Sequence, residues 1–430
     1  VWLNGAILLI SGITAALLVW KWRAHGLLNF LSVAAIVVVI AQIGWGLQKA
    51  ASQRSQLATN SSKASVTSTE RPDIIYIILD GYGRSDALKR ALGFSNQSFI
   101  EGLEQRGFYV AKDARANYCQ TELSVASSLN MDTIQNLAPP TPGEEQDRAV
   151  LLTLTNKSRV VSYLRGLGYG FASITSNFPP LQFESADVNL NSTTGLSLIE
   201  TALIQMTPIN NRIVSHSMFE NHRRWTLNSF VALEGLSQPS VAPRFVIAHF
   251  LSPHPPFVFG PNGEPTKNQP PYGFWDGSDY MEYVGDQEEY RTGYAGQADF
   301  IGKRLLSTID HLLAKRKTKP IIIIQGDHGS KMRLDQLELG RTDVNECFPN
   351  LNAYLVPDSV RKSLYPGITP LNSFRMVFNG LFGDALPQLP DKSWYSNYPR
   401  PFDFKEVTDQ IAGPDKMATL PLPTFKPRFP

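Results

Sequence analysis

Two long apolar segments open the chain. Leu3–Trp20 and Leu27–Leu47 are nearly uncharged runs of about 20 residues, the length that crosses the hydrocarbon core of a bilayer. A signal peptide or a buried helical hairpin is the alternative, but two long runs joined by a short charged turn fit neither well. The pattern predicts two transmembrane helices within residues 1–47. Because the sequence starts inside such a run, we expect an upstream portion with further helices to be missing.

Basic residues near these segments set the expected orientation. Lys21 and Arg23 lie in the turn, and Lys49 and Arg54 follow the second apolar run, so the two sides carry equal counts. We place the turn in the cytoplasm because its charges are close together and flank a membrane end directly. Everything after Leu47 is then exported. This arrangement predicts a protein of the cell membrane whose main domain is periplasmic or extracellular.

Beyond the membrane, the pattern changes from polar to alternating apolar runs. Residues 48–70 are rich in Ser, Thr, Ala and Gln without apolar periodicity, which predicts a flexible linker. Continuous apolar runs follow at Ile74–Leu79, Phe245–Leu251 and Ile321–Ile324, and they are typical of strands buried on both faces of a parallel sheet. Segments with helical spacing lie between them, among them Ser98–Arg106 and Tyr290–Leu313. The alternation predicts an α/β fold over residues 71–380, followed by a Pro- and aromatic-rich tail at 381–430 that wraps the surface.

Composition narrows the class of protein. The chain has 430 residues, of which 43% are hydrophobic and 18% are charged, so it is long enough to bury a full core. The formal net charge is only +2, and nothing in it indicates a nucleic-acid partner. The two cysteines, Cys119 and Cys347, exclude a disulfide-dense scaffold. They allow one bridge or two free thiols, and the sequence does not choose.

Chemically capable side chains follow two of the predicted strands. Asp80 and Gly81 end the first apolar run, and Asp327, His328 and Gly329 come shortly after the four isoleucines. Ligands of open parallel sheets bind beyond the carboxyl ends of the strands, where these residues should meet. Carboxylate and imidazole together suit Zn or Mn. The alternatives are an Asp80 that caps a turn and an ordinary surface loop at 327–329.

A nucleophile is best sought near the start of an apparent helix at Glu122–Leu129. Thr121 precedes it, and a hydroxyl there feels the positive end of the helix dipole, so a bound divalent metal could help to deprotonate it. Thr121 could equally be the N-cap of that helix, a common role for threonine. Two histidines, His249 and His254, lie within the motif HFLSPHPPF after a predicted strand. We expect His254 to be the functional one of the two, and His216, His222 and His311 to be ordinary surface or core residues.

In this order, the motifs resemble the alkaline phosphatase superfamily. The similarity is greatest to its sulfatase-like membrane phosphotransferases, such as lipoteichoic acid synthases and phosphoethanolamine transferases. The resemblance covers about Arg71 to Gly380 and implies an alkaline-phosphatase-like sandwich with a central, mostly parallel sheet. It implies that one divalent cation (Zn, Mn, Mg or Ca) is held by four residues: Asp80, Thr121, Asp327 and His328. Thr121 would be the nucleophile, and His254 would contact the phosphoryl oxygens or the leaving group, or bind a second metal.

Two departures from the family pattern change what is expected. Sulfatases use Cys-x-Pro-x-Arg, whereas Cys119 is followed at those places by Thr121 and Leu123, so the formylglycine pattern fails. The phosphotransferases more often have Glu where this chain has the shorter Asp80, which leaves the identity of the metal open. If Cys119 and Cys347 were neighbours in an exported domain, they could form a disulfide beside the site.

The sequence therefore predicts a membrane-anchored, metal-dependent enzyme that transfers or hydrolyses a phosphoryl-type group on lipid-linked or cell-surface glycans. A sulfuric ester hydrolase and a non-catalytic scaffold with the same fold are the alternatives. The donor, the acceptor, the choice between transfer and hydrolysis, and the oligomeric state do not follow from the sequence.

Overall fold

The computed structural model describes most of the chain after residue 70. The described residues are 71–139, 146–176, 178–191, 211–238, 240–266, 272–314, 316 and 318–423. The predicted transmembrane helices at 1–47 and the linker at 48–70 lie outside them. Within the described ranges, no helix is both long and apolar enough to cross a membrane. The fold below is that of the compact unit of residues 66–193 and 218–430, as far as the structure describes them.

A seven-stranded sheet organises this unit, in the order β2-β7-β6-β1-β5-β3-β4. Its strands are β1 (Ile74–Leu79), β2 (Tyr109–Val110), β3 (Gly170–Ile174), β4 (Val188–Asn189), β5 (Arg244–Phe250), β6 (Ile321–Gln325) and β7 (Asn352–Leu355). β1 pairs in parallel with both β5 and β6, and β3 continues the parallel set to β4. Only the pairings of β7, with β6 and with β2, are antiparallel. The mostly parallel sheet that the apolar runs predicted is confirmed.

Helices cover both faces of the sheet. They are α1 (Ser85–Leu92), α2 (Gln97–Gln105), α3 (Thr121–Asn130), α4 (Ile134–Leu137), α5 (Ala149–Asn156), α6 (Arg159–Gly166), α7 (Asn211–Gly235), α8 (Gly277–Tyr283), α9 (Gln287–Ala314), α10 (Val344–Cys347), α11 (Asp358–Arg361), α12 (Pro370–Phe382) and α13 (Pro414–Met417). Short 3₁₀ turns lie at Pro179–Leu181, Leu339–Arg341 and Thr408–Gln410.

Alternate side chains of β1 enter two separate cores, as strand geometry requires. Ile75 and Ile77 belong to a cluster that includes residues of α1, α2, α7 and α9. Ile74 and Ile78 belong to a cluster on the other face that includes residues of α3, α6 and α12. Each of these isoleucines is fully buried. The result is a sheet between two helical layers, which fits the continuous apolar runs of the central strands.

The last described segment packs along the outside of this sandwich. A two-stranded sheet joins β8 (Trp394–Tyr395) to β9 (Lys405–Glu406). The backbone N–H of Trp394 donates to the carbonyl of Asn117 over 2.8 Å, just before α3. Arg90 on α1 donates through its guanidinium to the carbonyls of Leu420 and Pro421. The segment is therefore fixed to the α/β unit through side-chain and backbone hydrogen bonds.

Candidate active site

Parallel strand pairing brings the predicted ligands together. Asp80 directly follows β1, and Asp327 and His328 follow β6, which pairs with β1 in register. Thr121 is the first residue of α3, a helix that packs on the same sheet. Loops that leave neighbouring parallel strands emerge at one edge of the sheet. The structure thus places Asp80, Thr121, Asp327 and His328 at this carboxyl edge.

Three of these side chains form a compact group of potential metal ligands. One ligand atom each from Asp80, Asp327 and His328 lies within 4.8 Å of the others, and all three residues are buried. The Nε2 atom of His328 is 3.1 Å from Oδ2 of Asp327 and 3.5 Å from Oδ1 of Asp80. It also lies 3.1 Å from Oγ1 of Thr121. The nucleophile candidate therefore shares a centre with the three ligand candidates.

Hydrogen bonds from the surrounding backbone orient this group. Nδ1 of His328 lies 2.8 Å from the carbonyl of Gly329, which can only accept, so this nitrogen carries a proton and Nε2 is the ring atom that faces the carboxylates. The backbone N–H of Gly81 donates to Oδ1 of Asp327 over 2.9 Å. Ser124 Oγ donates to the backbone carbonyl of Asp327 over 2.6 Å. These bonds fix Asp327 and His328 without occupying their inward-facing atoms.

The inward-facing carboxylate atoms fit a cation. Within the part of the chain that the structure describes, Oδ1 of Asp80 and Oδ2 of Asp327 are buried and have no hydrogen-bond partner. Leaving a buried carboxylate oxygen without a donor is costly, and a bound cation removes that cost. Two carboxylates and one imidazole are a donor set that Zn or Mn accepts. The residues present therefore fit the divalent ion that the resemblance implies.

Glycines allow the loops to approach this closely. Gly81, directly after Asp80, has a φ of +72°, a conformation that side chains disfavour. At Gly329, a Cβ atom would lie 2.1 Å from the carbonyl of Glu346, so any other residue would push the loop after His328 away from its support. In the DG and DHG patterns, the Asp and His residues thus supply potential ligand atoms, and the glycines let the backbone adopt its conformation and approach closely.

Thr121 occupies the first turn of α3 but does not cap it. The N-cap is Gln120, which has extended backbone and makes no capping bond with its side chain. The amide of Gln120 instead donates to the carbonyl and hydroxyl of Ser396 in the C-terminal segment. The hydroxyl of Thr121 is directed to His328, at the positive end of the helix dipole. The interpretation of Thr121 as a simple N-cap is therefore wrong.

Both histidines of the HFLSPHPPF motif contact the region of Asp80, in different ways. Nε2 of His249 lies 3.3 Å from Oδ2 of Asp80, and its Nδ1 shares a 2.6 Å hydrogen bond with Ser176. His254 donates its backbone N–H to the carbonyl of Asp80 over 3.1 Å, while its ring Nε2 lies 3.1 Å from Oδ2 of Asp276. Of the two imidazoles, it is that of His249 that faces the Asp80 carboxylate. The register between β1 and β5 places His249 beside Ile78, two residues before Asp80.

Two charged residues of the site were missed by sequence reasoning. Lys331 and Asp276 are both buried, and the ammonium lies 3.0 Å from Oδ2 of Asp276. Burial lowers the pKa of Lys331, but the charges of Asp276, Asp80 and Asp327 outweigh burial and hold it well above its usual range. Lys331 follows the DHG triplet by two residues, whereas Asp276 lies in a loop far away in sequence, where nothing pointed to it.

The same charges shape the acidities of the neighbouring groups. Burial raises the pKa of Asp276, but Lys331 and His254 outweigh burial and hold it well below its usual range. Burial lowers the pKa of His254, but the charge of Asp80 and the hydrogen bond to Asp276 leave it raised. For Asp327, burial is outweighed by His328, and the pKa lies well below its usual range. The site thus combines ionised carboxylates with a buried ammonium.

Cys119 and Cys347 belong to one buried cluster near the start of α3. Both are free thiols in the structure, so the disulfide considered for them is not formed. Burial raises the pKa of the Cys119 thiol to about 11 and that of Cys347 well above its usual value. Buried thiols with a raised pKa are unreactive.

Comparison with known proteins bears on the fold. No protein-family model and no curated protein sequence matches the chain. Among solved structures, the C-terminal periplasmic domain of EptC from Escherichia coli, in complex with Zn, aligns with a TM-score of 0.50 at 11% identity, over 82% of this chain and 97% of that one.

Two further matches have lower scores. A putative sulfatase from Bacteroides thetaiotaomicron gives a TM-score of 0.49 at 14% identity, over 77% of this chain and 74% of that one. The integral membrane protein lipooligosaccharide phosphoethanolamine transferase A from Neisseria meningitidis gives 0.45 at 12% identity, over 87% and 68%. At these identities the similarity concerns the fold. The fold of the chain is similar to that of the EptC domain, a finding that fits the resemblance of its motifs to the alkaline phosphatase superfamily.

Proposed function

We propose that this protein is a metal-dependent enzyme that transfers or hydrolyses a phosphoryl-type group through Thr121. The observation that carries the proposal is the position of the Thr121 hydroxyl, 3.1 Å from Nε2 of His328. That nitrogen in turn lies beside two carboxylate oxygens, of Asp80 and Asp327, that have no hydrogen-bond donor among the described residues. A nucleophile surrounded by ligand atoms is what such chemistry requires.

Asp80, Asp327, His328 and Thr121 would hold one divalent cation. When bound, the cation supplies positive charge that favours the ionised form of the Thr121 hydroxyl and offsets charge on the phosphoryl oxygens. The EptC domain is described in complex with Zn, which supports an ion of that type here. The donor set suits Zn or Mn best, and Mg or Ca are the other candidates.

The reaction would proceed in two steps at Thr121. The Thr121 hydroxyl loses its proton to solvent, and its oxygen forms a bond to phosphorus while the bond from phosphorus to the leaving oxygen breaks, which gives a phosphothreonine ester. The leaving oxygen takes up a proton, and we assign this donation to His254, whose raised pKa favours the charged form. The Lys331 ammonium would offset charge on the transferred group. An acceptor hydroxyl then bonds to phosphorus, gives its proton to His254 and releases Thr121, whose oxygen regains a proton from solvent; water as acceptor makes the enzyme a hydrolase.

The substrate and the location belong to the same proposal. The apolar segments at residues 1–47 would anchor the protein in the cell membrane, with the α/β unit in the periplasm or outside the cell. An anchored site favours substrates that are themselves held at the surface, such as lipid-linked or cell-surface glycans. The periplasmic location of the EptC domain supports an exported unit.

Substitution of Thr121 tests the proposal directly. Thr121→Ala should lower turnover of bis(p-nitrophenyl) phosphate by about 10³-fold or more, because no other group replaces the nucleophile. Its metal content, measured by mass spectrometry of the purified protein, should stay close to that of the wild type. Acid quenching of the wild type during turnover should trap phosphothreonine at position 121. Thr155→Ala, at a buried threonine of α5, is the matched control and should leave all three measurements unchanged.

The two alternatives give different outcomes in the same assays. A sulfuric ester hydrolase would turn over p-nitrophenyl sulfate faster than the phosphodiester. A non-catalytic scaffold would bind no metal and form no phosphothreonine. Full activity of Thr121→Ala would remove the proposed nucleophile and with it this mechanism.

A further inference from the structure

A groove of about 460 Å³ lies beside the candidate active site. Its lining contains four prolines, five aromatic residues, four glycines, three glutamates, two threonines and one valine. These residues are Phe219, Pro255, Pro256, Phe257, Phe259, Gly260, Pro261, Glu264, Pro265, Thr266, Gly273, Trp275, Tyr280, Val284, Glu288, Glu289, Thr292, Gly293 and Gly296. The proposed mechanism uses none of them.

Two lining residues of the groove adjoin residues of the site along the chain. Pro255 follows His254, whose backbone N–H donates to the carbonyl of Asp80. Trp275 precedes Asp276, which pairs with His254 and with Lys331. The lining of the groove therefore continues along the chain from residues around the candidate ligands. A substrate with its phosphoryl group at Thr121 would extend one of its two ester substituents towards this space.

The shape of the lining favours a flat ring over a flexible chain. Nine of the lining residues carry planar or cyclic side chains, and Val284 is the one branched aliphatic among them. The apolar part of the wall is therefore formed by rings and not by aliphatic chains. Trp275 is 40% exposed, and its ring packs against that of Tyr283 with centroids 5.2 Å apart. An indole held in this way offers a face on which the C–H side of a sugar ring can stack.

The charges of the groove point to an uncharged ligand. Glu264, Glu288 and Glu289 contribute carboxylates, and none of the described lining residues is Lys or Arg. Arg291 pairs with Glu288 over 3.1 Å, which offsets part of the negative charge. Carboxylates accept hydrogen bonds from sugar hydroxyls, and they repel sulfate, phosphate and uronate groups.

We infer that this groove is a subsite for an uncharged sugar ring of the substrate, stacked on Trp275 and bound through its hydroxyls by the acidic rim. The inference rests on the proposed function, because it names the part of the glycan substrate that lies next to the phosphoryl group. It also sets a limit on that substrate: the ring nearest the reacting bond carries no negative charge.

Binding of oligosaccharides to the detergent-solubilised full chain tests the inference. The probes are neutral tetrasaccharides of glucose, mannose and N-acetylglucosamine, a heparin-derived tetrasaccharide, and dihexanoylphosphatidylcholine below its micellar concentration. Saturation-transfer NMR and calorimetry give the affinities. At least one neutral tetrasaccharide should bind, and Trp275→Ala should weaken that binding tenfold or more. Tyr398→Ala, at an exposed aromatic residue outside the groove, should leave the affinity unchanged.

Each other outcome would overturn the inference. These outcomes are that no neutral tetrasaccharide binds, that Trp275→Ala binds as tightly as the wild type, or that the heparin fragment or the phospholipid binds more tightly than every neutral sugar. Binding should persist in Thr121→Ala, since the subsite does not need the nucleophile. The absence of sugar binding would thus not contradict the Thr121 mechanism. Full activity of Thr121→Ala would likewise not contradict the binding result.

Discussion

At the scale of single residues, the site buries carboxylates of like charge close to one another. Asp80 and Asp327 place carboxylate oxygens close together in a buried region, where the described residues offer Oδ1 of Asp80 and Oδ2 of Asp327 no hydrogen bond. Like charges repel strongly in such surroundings. A bound cation would turn this repulsion into attraction, so the folded state should be more stable with metal than without it.

Removal of metal should therefore destabilise the wild type. At a metal concentration about 100 times the dissociation constant, the loss in unfolding free energy on adding a chelator is roughly 3 kcal/mol. Asp80→Asn removes one charged ligand and should shrink the difference between metal-loaded and chelated protein. Thermal unfolding with and without EDTA measures both. Asp310→Asn, at an exposed carboxylate of α9, is the control that should behave as the wild type; an equal EDTA effect in Asp80→Asn would contradict the assignment.

Glu346 offers a second test at this scale, through pH. It is buried in α10 beneath the loop that follows His328, where it accepts hydrogen bonds from Ser330 and from the backbone of Met332. Burial raises its pKa from 4.5 to about 7, although Arg333 lies 3.3 Å away. A carboxyl whose pKa is higher in the folded state stabilises the fold below its unfolded pKa and loses that contribution as the pH rises.

The expected loss from Glu346 is about 3 kcal/mol between pH 4.5 and pH 7. Urea unfolding across this range should show that Glu346→Gln depends less on pH than the wild type does. The comparison uses the slope with pH, since the substitution also changes the pairing with Arg333. Parallel curves for the two proteins would mean that Glu346 titrates normally in the fold.

The sequence predicted those site residues whose position follows from a strand or helix end. Asp80, Asp327 and His328 follow strong apolar runs, and Thr121 starts a segment with helical spacing, so the pattern of the chain alone indicates their approximate places. Asp276 could not be found in this way, because it lies in a loop with no periodic pattern. Its importance comes from buried contacts with His254 and Lys331, and such contacts depend on how loops fold over the sheet.

At the scale of elements, prediction succeeded best where burial is complete. β1 spans Ile74–Leu79 as predicted, and α9 at Gln287–Ala314 contains the predicted helix Tyr290–Leu313. The short edge strands β2 and β4, of two residues each, gave no comparable signal, because they are held by neighbours and lack an apolar run. The direction of β7 could not be predicted from the sequence either, since antiparallel pairing depends on the path of the preceding loop.

One contact between elements fixes the loop that carries His254. Gln297 on α9 is fully buried, and its amide oxygen accepts the N–H of Val258 over 2.8 Å and that of Phe259 over 3.3 Å. Its amide nitrogen donates to the carbonyl of His254 over 3.0 Å. A single side chain thus replaces the backbone partners that the loop lacks. We expect Gln297 to hold both His254 and the adjoining residues of the groove in place.

Gln297→Met keeps the volume but leaves these backbone groups unsatisfied. It should lower the unfolding free energy by about 2 kcal/mol and raise KM more than it lowers kcat, because substrate-facing parts of the loop become less ordered. Chemical denaturation and steady-state kinetics provide the two measurements. Gln97→Met, at an exposed glutamine of α2, is the matched control. A variant as stable as the wild type would show that the loop is held by other contacts.

At the scale of the whole molecule, the proposed membrane anchor raises the question of how the site would reach its substrate. The chain enters β1 at Ile74, and Asp80 lies at the far end of that strand, about 20 Å further on. The candidate site therefore lies at the end of β1 opposite to the one at which the chain enters the strand. Fully extended, a linker of residues 48–70 spans at most about 80 Å, which would allow the α/β unit to turn towards the membrane surface.

This arrangement requires the α/β unit to lie on the outer side of the membrane, as we expect from placing Lys21 and Arg23 in the cytoplasm. Protease added to spheroplasts or right-side-out vesicles should cut the linker and release a fragment that starts within residues 48–70. Because the described fold begins at Arg71, the fragment should keep its metal and its activity on the small phosphodiester. An internal cytoplasmic protein checks that the vesicles are sealed. Full protection of the linker in sealed vesicles would place the site inside the cell, where cell-surface glycans cannot be its substrates.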